Sequence, residues 1–287
     1  FPLFVTRSFL ARIRSGDPFD PLLRQVLPLA AENESMPGFT TDPVDDAAAQ
    51  TQPGLLQKYA GRALLITTGA CAIHCRYCFR REFPYDVNQV SKRRIQEALT
   101  HIASDTSINE VILSGGDPLT LSDDRLLDLI QSIESIPHID RLRIHSRLPV
   151  VLPNRITPQF NRMLADTRLR CVLVIHANHP NELDESVETA LRSLILVGVS
   201  LLNQTVLLKG VNDRTDCLKQ LSERLFDCGV LPYYLHLLDR ARGTAHFEVE
   251  QSHALALHES LRRELPGYLV PKMVRELSGE PYKTPIA

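Results

Sequence analysis

The sequence predicts an α/β fold: a partial (β/α)6 barrel with an N-terminal helical and extended arm and a short C-terminal extension. Three observations predict it. Six short runs, residues 63–67, 110–113, 141–145, 170–176, 200–208 and 231–238, are rich enough in Leu, Ile and Val to read as buried strands. After the first unit they recur roughly every 30 residues, the size of one βα unit. The segments between them carry apolar residues at helical spacing. A doubly wound open sheet, the alternative, would show a Gly-rich phosphate turn after its first strand, where this chain has a cysteine loop.

Taken in order, residues 1–60 form the arm. It is irregular and proline-rich, with Asp17-Pro18, Asp20-Pro21, Met36-Pro37-Gly38 and Asp42-Pro43, and residues 47–52 are its candidate flexible stretch. Residues 61–244 form the barrel core. Its helices show stripes: Leu126, Leu127, Ile130 and Ile133; Leu183, Val187, Ala190, Leu191 and Leu194, closing at Gly198; and Leu218, Leu221 and Leu225, closing at Gly229. Glycine just past the last turn is a common helix stop. Residues 245–287 add one helix, through Arg263, and a last strand at 268–274.

Of the 287 residues, 44% are hydrophobic and 23% charged, as in a globular protein with a sizeable core. A net charge of −2 excludes a general polyanion binder, and the run Lys92-Arg93-Arg94 reads as the solvated start of a helix. No apolar stretch reaches the ~18 residues of a membrane span, and no signal-peptide pattern is present. The chain starts without Met, which fits a trimmed N-terminus. Six cysteines, three of them clustered, suit a reducing, cytoplasmic setting. The other three, Cys171, Cys217 and Cys228, read as buried core thiols.

The cluster is Cys71-Ala72-Ile73-His74-Cys75-Arg76-Tyr77-Cys78, directly after the first strand. Three thiolates can hold three irons of a 4Fe–4S cluster and leave the fourth open to another ligand. C-x3-C-x2-C is the spacing of radical S-adenosylmethionine (SAM) enzymes, in which SAM takes that open iron. Structural zinc is the rival; it would need a fourth ligand such as His74, His145 or His246. Ser114-Gly115-Gly116-Asp117-Pro118 ends the second strand, where two glycines allow close backbone approach to a ligand such as SAM.

Beyond the cysteine loop, the chain resembles the lysine 2,3-aminomutases. The resemblance is carried by Asp17-Pro18-Phe19-Asp20-Pro21, Pro53-Gly54-Leu55, Cys75-Arg76-Tyr77-Cys78-Phe79-Arg80-Arg81, Leu113-Ser114-Gly115-Gly116-Asp117-Pro118 and Ser146-Arg147-Leu148-Pro149-Val150-Val151-Leu152-Pro153. It continues in Asn178-His179-Pro180-Asn181-Glu182, Asn203-Gln204-Thr205-Val206-Leu207-Leu208 and Pro232-Tyr233-Tyr234-Leu235. The short C-terminus with Gly279-Glu280-Pro281-Tyr282-Lys283-Thr284-Pro285 is most similar to the branch that makes (R)-β-lysine for modifying translation elongation factor P.

The resemblance implies a radical SAM barrel, an isomerase moving an amino group between C2 and C3 of L-lysine, and three cofactors: the 4Fe–4S cluster on Cys71, Cys75 and Cys78, SAM, and pyridoxal phosphate (PLP). Among six lysines, Lys58, Lys92, Lys209, Lys219, Lys272 and Lys283, Lys209 at the end of the fifth strand is a reasonable candidate on position alone, and Lys283 by itself reads as a surface residue. The resemblance assigns the PLP Schiff base to Lys283. It assigns the PLP phosphate to Arg62, the substrate carboxylate to Arg80, and the distal ammonium to Asp239 and Glu276, the last an Asp in well-known relatives. Arg76 and Arg81 either tune the cluster's charge or face solvent. SAM contacts fall to Ser114, Gly115, Gly116, Asp117, His176 and Gln204. Implied partners are L-lysine, an external one-electron reductant, and a functional link to elongation factor P and its lysine ligase, with no membrane or direct nucleic-acid contact. The remaining alternatives are a PLP-independent radical SAM enzyme acting on RNA or a peptide, and a zinc-binding module tied to translation.

Overall fold

A computed structural model describes residues 1–85 and 91–287. Its backbone is one ten-stranded sheet with strands in sequence order. The arm supplies two single-turn helices, α1 (Arg7–Leu10) and α2 (Pro21–Arg24), then β1 (Gln50–Gln52) and β2 (Leu55–Leu56). The core runs β3 (Arg62–Thr68), α3 (Lys92–Ser104), β4 (Glu110–Gly115), α4 (Asp123–Glu134), β5 (Arg141–Ser146), α5 (Leu148–Val151), α6 (Pro158–Asp166), β6 (Arg170–Ile175), α7 (Glu185–Leu196), β7 (Ser200–Val206), α8 (Thr215–Asp227) and β8 (Leu231–His236). The tail adds α9 (Gln251–Glu264), β9 (Lys272–Arg275) and β10 (Thr284–Pro285).

Strands β3 to β9 are all parallel neighbours, while β1, β2 and β10 pair antiparallel at the two margins. A helix follows each of β3 to β8, which gives the expected six βα units. The sheet is open, with β1 and β10 at its edges.

Successive strand side chains point to opposite faces. One face, with Leu65, Leu113, Leu142, Ile144, Leu173 and Leu201, is buried against Ile102, Leu126, Ile130, Leu191 and Leu225 of the helices. The other, with Leu64, Ile112, Arg143, His145, Val174, Gln204, Tyr234 and His236, turns toward a cavity of about 440 Å³. The register aligns Leu64 with Ile112 and Ile112 with Arg143, so neighbouring strands deliver their cavity residues side by side. The arm packs Phe9, Leu22 and Val26 against Ile73 of the cysteine loop and Val151 of α5.

Side-chain caps start the helices where polarity switches to helical periodicity: Ser91, Ser122, Thr157 and Asp184 each accept a backbone N–H of the first turn. Helices α7 and α8 stop before Gly198 and Gly229, both in the left-handed region, as their stripes predict.

Several local expectations need correction. The α4 stripe uses Leu129, which is buried, in place of Leu127, which is 37% exposed, because 3.6-residue periodicity turns 127 outward. Residues 50–52, expected to be flexible, form β1 and are held in the sheet by β2. The tail helix begins at Gln251, after a separate turn at Ala245–Phe247. The strand expected at 268–274 as the last begins at Lys272, since Gly267–Leu269 coil into a short helical turn after Pro266, and β10 follows it. Cys171 and Cys228 are buried, but Cys217 is only half-buried, its side of α8 being partly open.

Candidate active site

The loop after β3 puts Cys71, Cys75 and Cys78 on one wall of the cavity, all three as free thiols. Burial pushes the Cys78 thiol up to about 11 and the Cys71 thiol further, so deprotonation there calls for an adjacent cation such as iron. Among the described residues, no three His, Cys, Asp or Glu side chains converge on a point one ion could fill. Of the zinc candidates, His74 and His145 line the cavity with the thiols, but His74 stacks on Phe1 and bonds Pro2, and His246, outside the lining, packs on Phe247. Three separated sulfurs around a cavity suit a polynuclear cluster better than one tetrahedral ion.

Arg76 and Arg81 do not face solvent. Both guanidiniums clamp Glu32 of the arm and lie beside the Phe1 ring, so they fasten the arm to the cysteine loop. Glu32 is held down at about 2, its burial outweighed by the two hydrogen-bonded arginines.

The glycines of the second strand end serve close backbone contact. A Cβ on Gly116 would lie 2.2 Å from the Ala70 oxygen, and one on Gly115 would lie 2.5 Å from the Thr68 oxygen. The Gly116 and Asp117 N–H groups donate to Thr68 and Ala70 across this gap, at 2.7 Å each. Asp117 accepts from the Ser146 hydroxyl and the backbone N–H groups of Leu119, Arg147 and Leu148. Its carboxyl is nevertheless raised to about 6, because burial outweighs those bonds. Ser114, Gly115, Gly116, Asp117, His176 and Gln204 all line the cavity beside the thiols. His176 bonds the Tyr77 hydroxyl at 3.0 Å, and burial lowers its imidazole to about 3.

The same cavity also gathers Arg62, Arg80, Asp239, Glu276 and Lys283. A chain of ion pairs runs through it. Lys283 contacts Glu276; Glu276 accepts from Lys58 at 2.8 Å; Lys58 also reaches Asp46 at 2.7 Å; Asp46 accepts from Arg80 Nε at 2.7 Å. Arg80 Nη1 then donates to Ser114 Oγ at 3.1 Å. The two acids differ sharply in charge state. Burial would raise Glu276, but Lys283 and Lys58 outweigh it and hold it at about 2. Asp239 is raised to about 7, first by desolvation and then by Glu276. Arg62 lies with its guanidinium 5.3 Å from the Tyr59 ring centroid.

Lys209, a candidate on strand position alone, is exposed and lies outside the cavity lining, because β7 ends at Val206 and the chain turns away. Asp46 and Lys58 were missed. Asp46 sits in a proline-rich stretch with no periodicity; the scarcity of lysines was the one signal for Lys58. His145 and His236 were also given no role in the radical SAM reading. Each has a buried Nε2 without a hydrogen-bond partner among the described residues, and burial depresses both rings.

A sequence model of the radical SAM superfamily matches residues 65–217. An L-lysine 2,3-aminomutase of Haemophilus influenzae is 50% identical over 284 residues, covering 99% of this chain and 84% of that protein. One of Escherichia coli is 51% identical over 286 residues, covering 100% of this chain and 83% of that protein. The solved structure of anSMEcpe with bound AdoMet superposes with a TM-score of 0.52 at 10% identity, over 70% of this chain and 58% of that one, a likeness of fold. The donor sets fit the family's three cofactors, a 4Fe–4S cluster, SAM and PLP: three thiols, an amine and guanidiniums line one cavity. With about half its residues shared over nearly its whole length, the chain belongs to the lysine 2,3-aminomutase family of radical SAM isomerases.

Proposed function

We propose that this enzyme converts L-α-lysine to (R)-β-lysine and that the product serves the modification of translation elongation factor P. The observation that carries the reading is one cavity lined by three free thiols together with Lys283, Arg62, Arg80, Asp239 and Glu276. The link to elongation factor P rests on the C-terminal resemblance through Lys283.

When bound, the reduced cluster with SAM supplies hydrogen-atom abstraction, and PLP supplies the conjugated system over which nitrogen can move between adjacent carbons. The chain's own residues orient and exclude. Cys71, Cys75 and Cys78 hold the cluster; Ser114, Gly115, Gly116, Asp117, His176 and Gln204 shape the SAM space beside it. Lys283 provides the amine for PLP, with Arg62 placed for its phosphate, to which a planar fork is suited. Arg80 has Nε and Nη1 committed to Asp46 and Ser114, which fixes the fork for a substrate carboxylate. Glu276, and Asp239 above about pH 7, take the distal ammonium, and their negative charge disfavours an acidic side chain.

Mass spectrometry of L-lysine incubated anaerobically with the enzyme, SAM, PLP and a reductant tests this. (R)-β-lysine is the expected product; unaltered lysine under conditions that cleave SAM overturns the substrate assignment. Adding elongation factor P and its lysine ligase should then shift the factor's mass by one β-lysyl group.

A further inference from the structure

Against the cysteine loop, and reaching the cavity through Arg147 and Tyr77, lies a buried polar cluster to which the reaction as described gives no role. At its centre is Arg147, the residue after β5, 7% exposed. Its Nη1 donates to Cys75 Sγ, and its Nη2 donates to Gln25 Oε1 at 2.7 Å and Glu182 Oε2 at 3.1 Å. Its backbone N–H is held by Asp117 at 2.7 Å, and the guanidinium lies between Phe9 and Tyr77, 5.4 and 5.6 Å from their ring centroids.

The partners are fixed in turn. Glu182 and Gln25 are both fully buried. Glu182 Oε1 accepts from the N–H groups of Asn178 and His179 and from Gln25 Nε2, at 2.9 to 3.1 Å. The Gln25 carbonyl accepts from the Arg76 N–H within the cysteine loop, at 2.9 Å. Both terminal nitrogens of the guanidinium are thus engaged, Nη2 by Gln25 and Glu182 and Nη1 by sulfur, while the buried Nε has no partner among the described residues. Burying a guanidinium is costly unless its charge is matched. Glu182 supplies one anion, and Cys75 would supply the other as a thiolate when it holds the cluster.

We propose that Arg147 is a positioning residue that acts through Cys75 to raise the reduction potential of the cluster, with Glu182 as the opposing charge. The inference rests on the three thiols holding the cluster. A cationic N–H donor to a ligating sulfur withdraws electron density and stabilises the state carrying one more electron; hydrogen bonds to sulfur and net charge are established levers on cluster potential. The arm shares in this control, since Gln25 helps set the angle of the fork.

The test is spectroelectrochemical titration of the reconstituted full chain, monitored by EPR of the reduced cluster. Iron and sulfide are first assayed in the unaltered protein; a chain that binds neither overturns both the cluster reading and this inference. In cluster-loaded protein, Arg147→Met should shift the midpoint to more negative potential, Arg147→Lys should shift it less, and Glu182→Gln should shift it the opposite way. Because Arg147→Met leaves Glu182 unpaired and can fail to fold, the double variant Arg147→Met/Glu182→Gln is measured beside it. It should still lie below the parent, as the lost cation is the closer charge. An Arg147→Met or double-variant midpoint equal to the parent's, at full iron and sulfide content, overturns the inference alone and leaves Arg147 a structural tie.

Discussion

Lys58 and Glu276, 218 positions apart, meet in an ion pair of 2.8 Å at the inner end of the cavity. Lys58 leads into β3, and Glu276 follows β9, so the pair closes the open sheet's two flanks across the site. It also explains the uneven acids: two cations hold Glu276 ionised, while Asp239 is left to burial and to Glu276's repulsion.

Lys58→Met should therefore destabilise the fold, since it strands Asp46 and Glu276 with one cation each. Partial exposure of Lys58 moderates the loss, and ~2 kcal/mol is expected, below the range for fully buried pairs. Thermal unfolding reads this as a lowered Tm, with Lys58→Arg retaining most of the stability. A Lys58→Met protein that melts with the parent shows the pair to be incidental.

Lys283→Ala should abolish the PLP–lysine absorbance near the visible edge and leave the iron–sulfur absorption intact. The two chromophores rest on different side chains, Lys283 and the three cysteines, so one spectrum separates loss of the amine from loss of the fold. Persistence of the PLP–lysine band in the variant moves the role to another lysine.

The Asp239 carboxyl near 7 gives a signed pH prediction. A raised acid is protonated, and so uncharged, below its pKa; attraction for a cationic substrate is present above about 7 and fades as pH falls through it. The kcat/KM for lysine should drop on the acid side with that dependence. Asp239→Asn should flatten the limb and cost about tenfold, equivalent to ~1.4 kcal/mol. An unchanged acid limb in the variant assigns it elsewhere.

Gly116→Ala should disturb the cluster without touching a ligand. The new Cβ would sit 2.2 Å from the Ala70 oxygen, and backbone on both sides must shift. Such overpacking typically costs ~1–3 kcal/mol. Iron bound per chain after reconstitution should fall, because Ala70 immediately precedes Cys71. Full iron loading with an unaltered Tm argues that this contact can relax freely.

Much of the fold was legible because buried parallel strands and amphipathic helices leave short-range periodic signals. The β4 run at 110–113 and the α7 stripe ending at Gly198 are examples. The arm was less legible. Residues 50–52 carry no apolar alternation, and they become a strand only because β2 offers its edge. Within the site, the three cysteines announce themselves by spacing, whereas Lys283 is a surface lysine by local pattern and needed resemblance to stand out. Asp46, Lys58 and His236 carried no such mark.

The amino-acid order by itself determined the six βα repeats, the thiol trio after the first strand and the chemical class they imply, since these reside in periodicity and short spacing. Only the tertiary structure decided which charges meet: Lys58 with Glu276, Arg80 with Asp46, Arg147 with Cys75 and Glu182. Pairing across long sequence separations depends on which strands lie adjacent and which faces turn inward. Electrostatic coupling falls off with distance in space, and distance along the chain carries no measure of it.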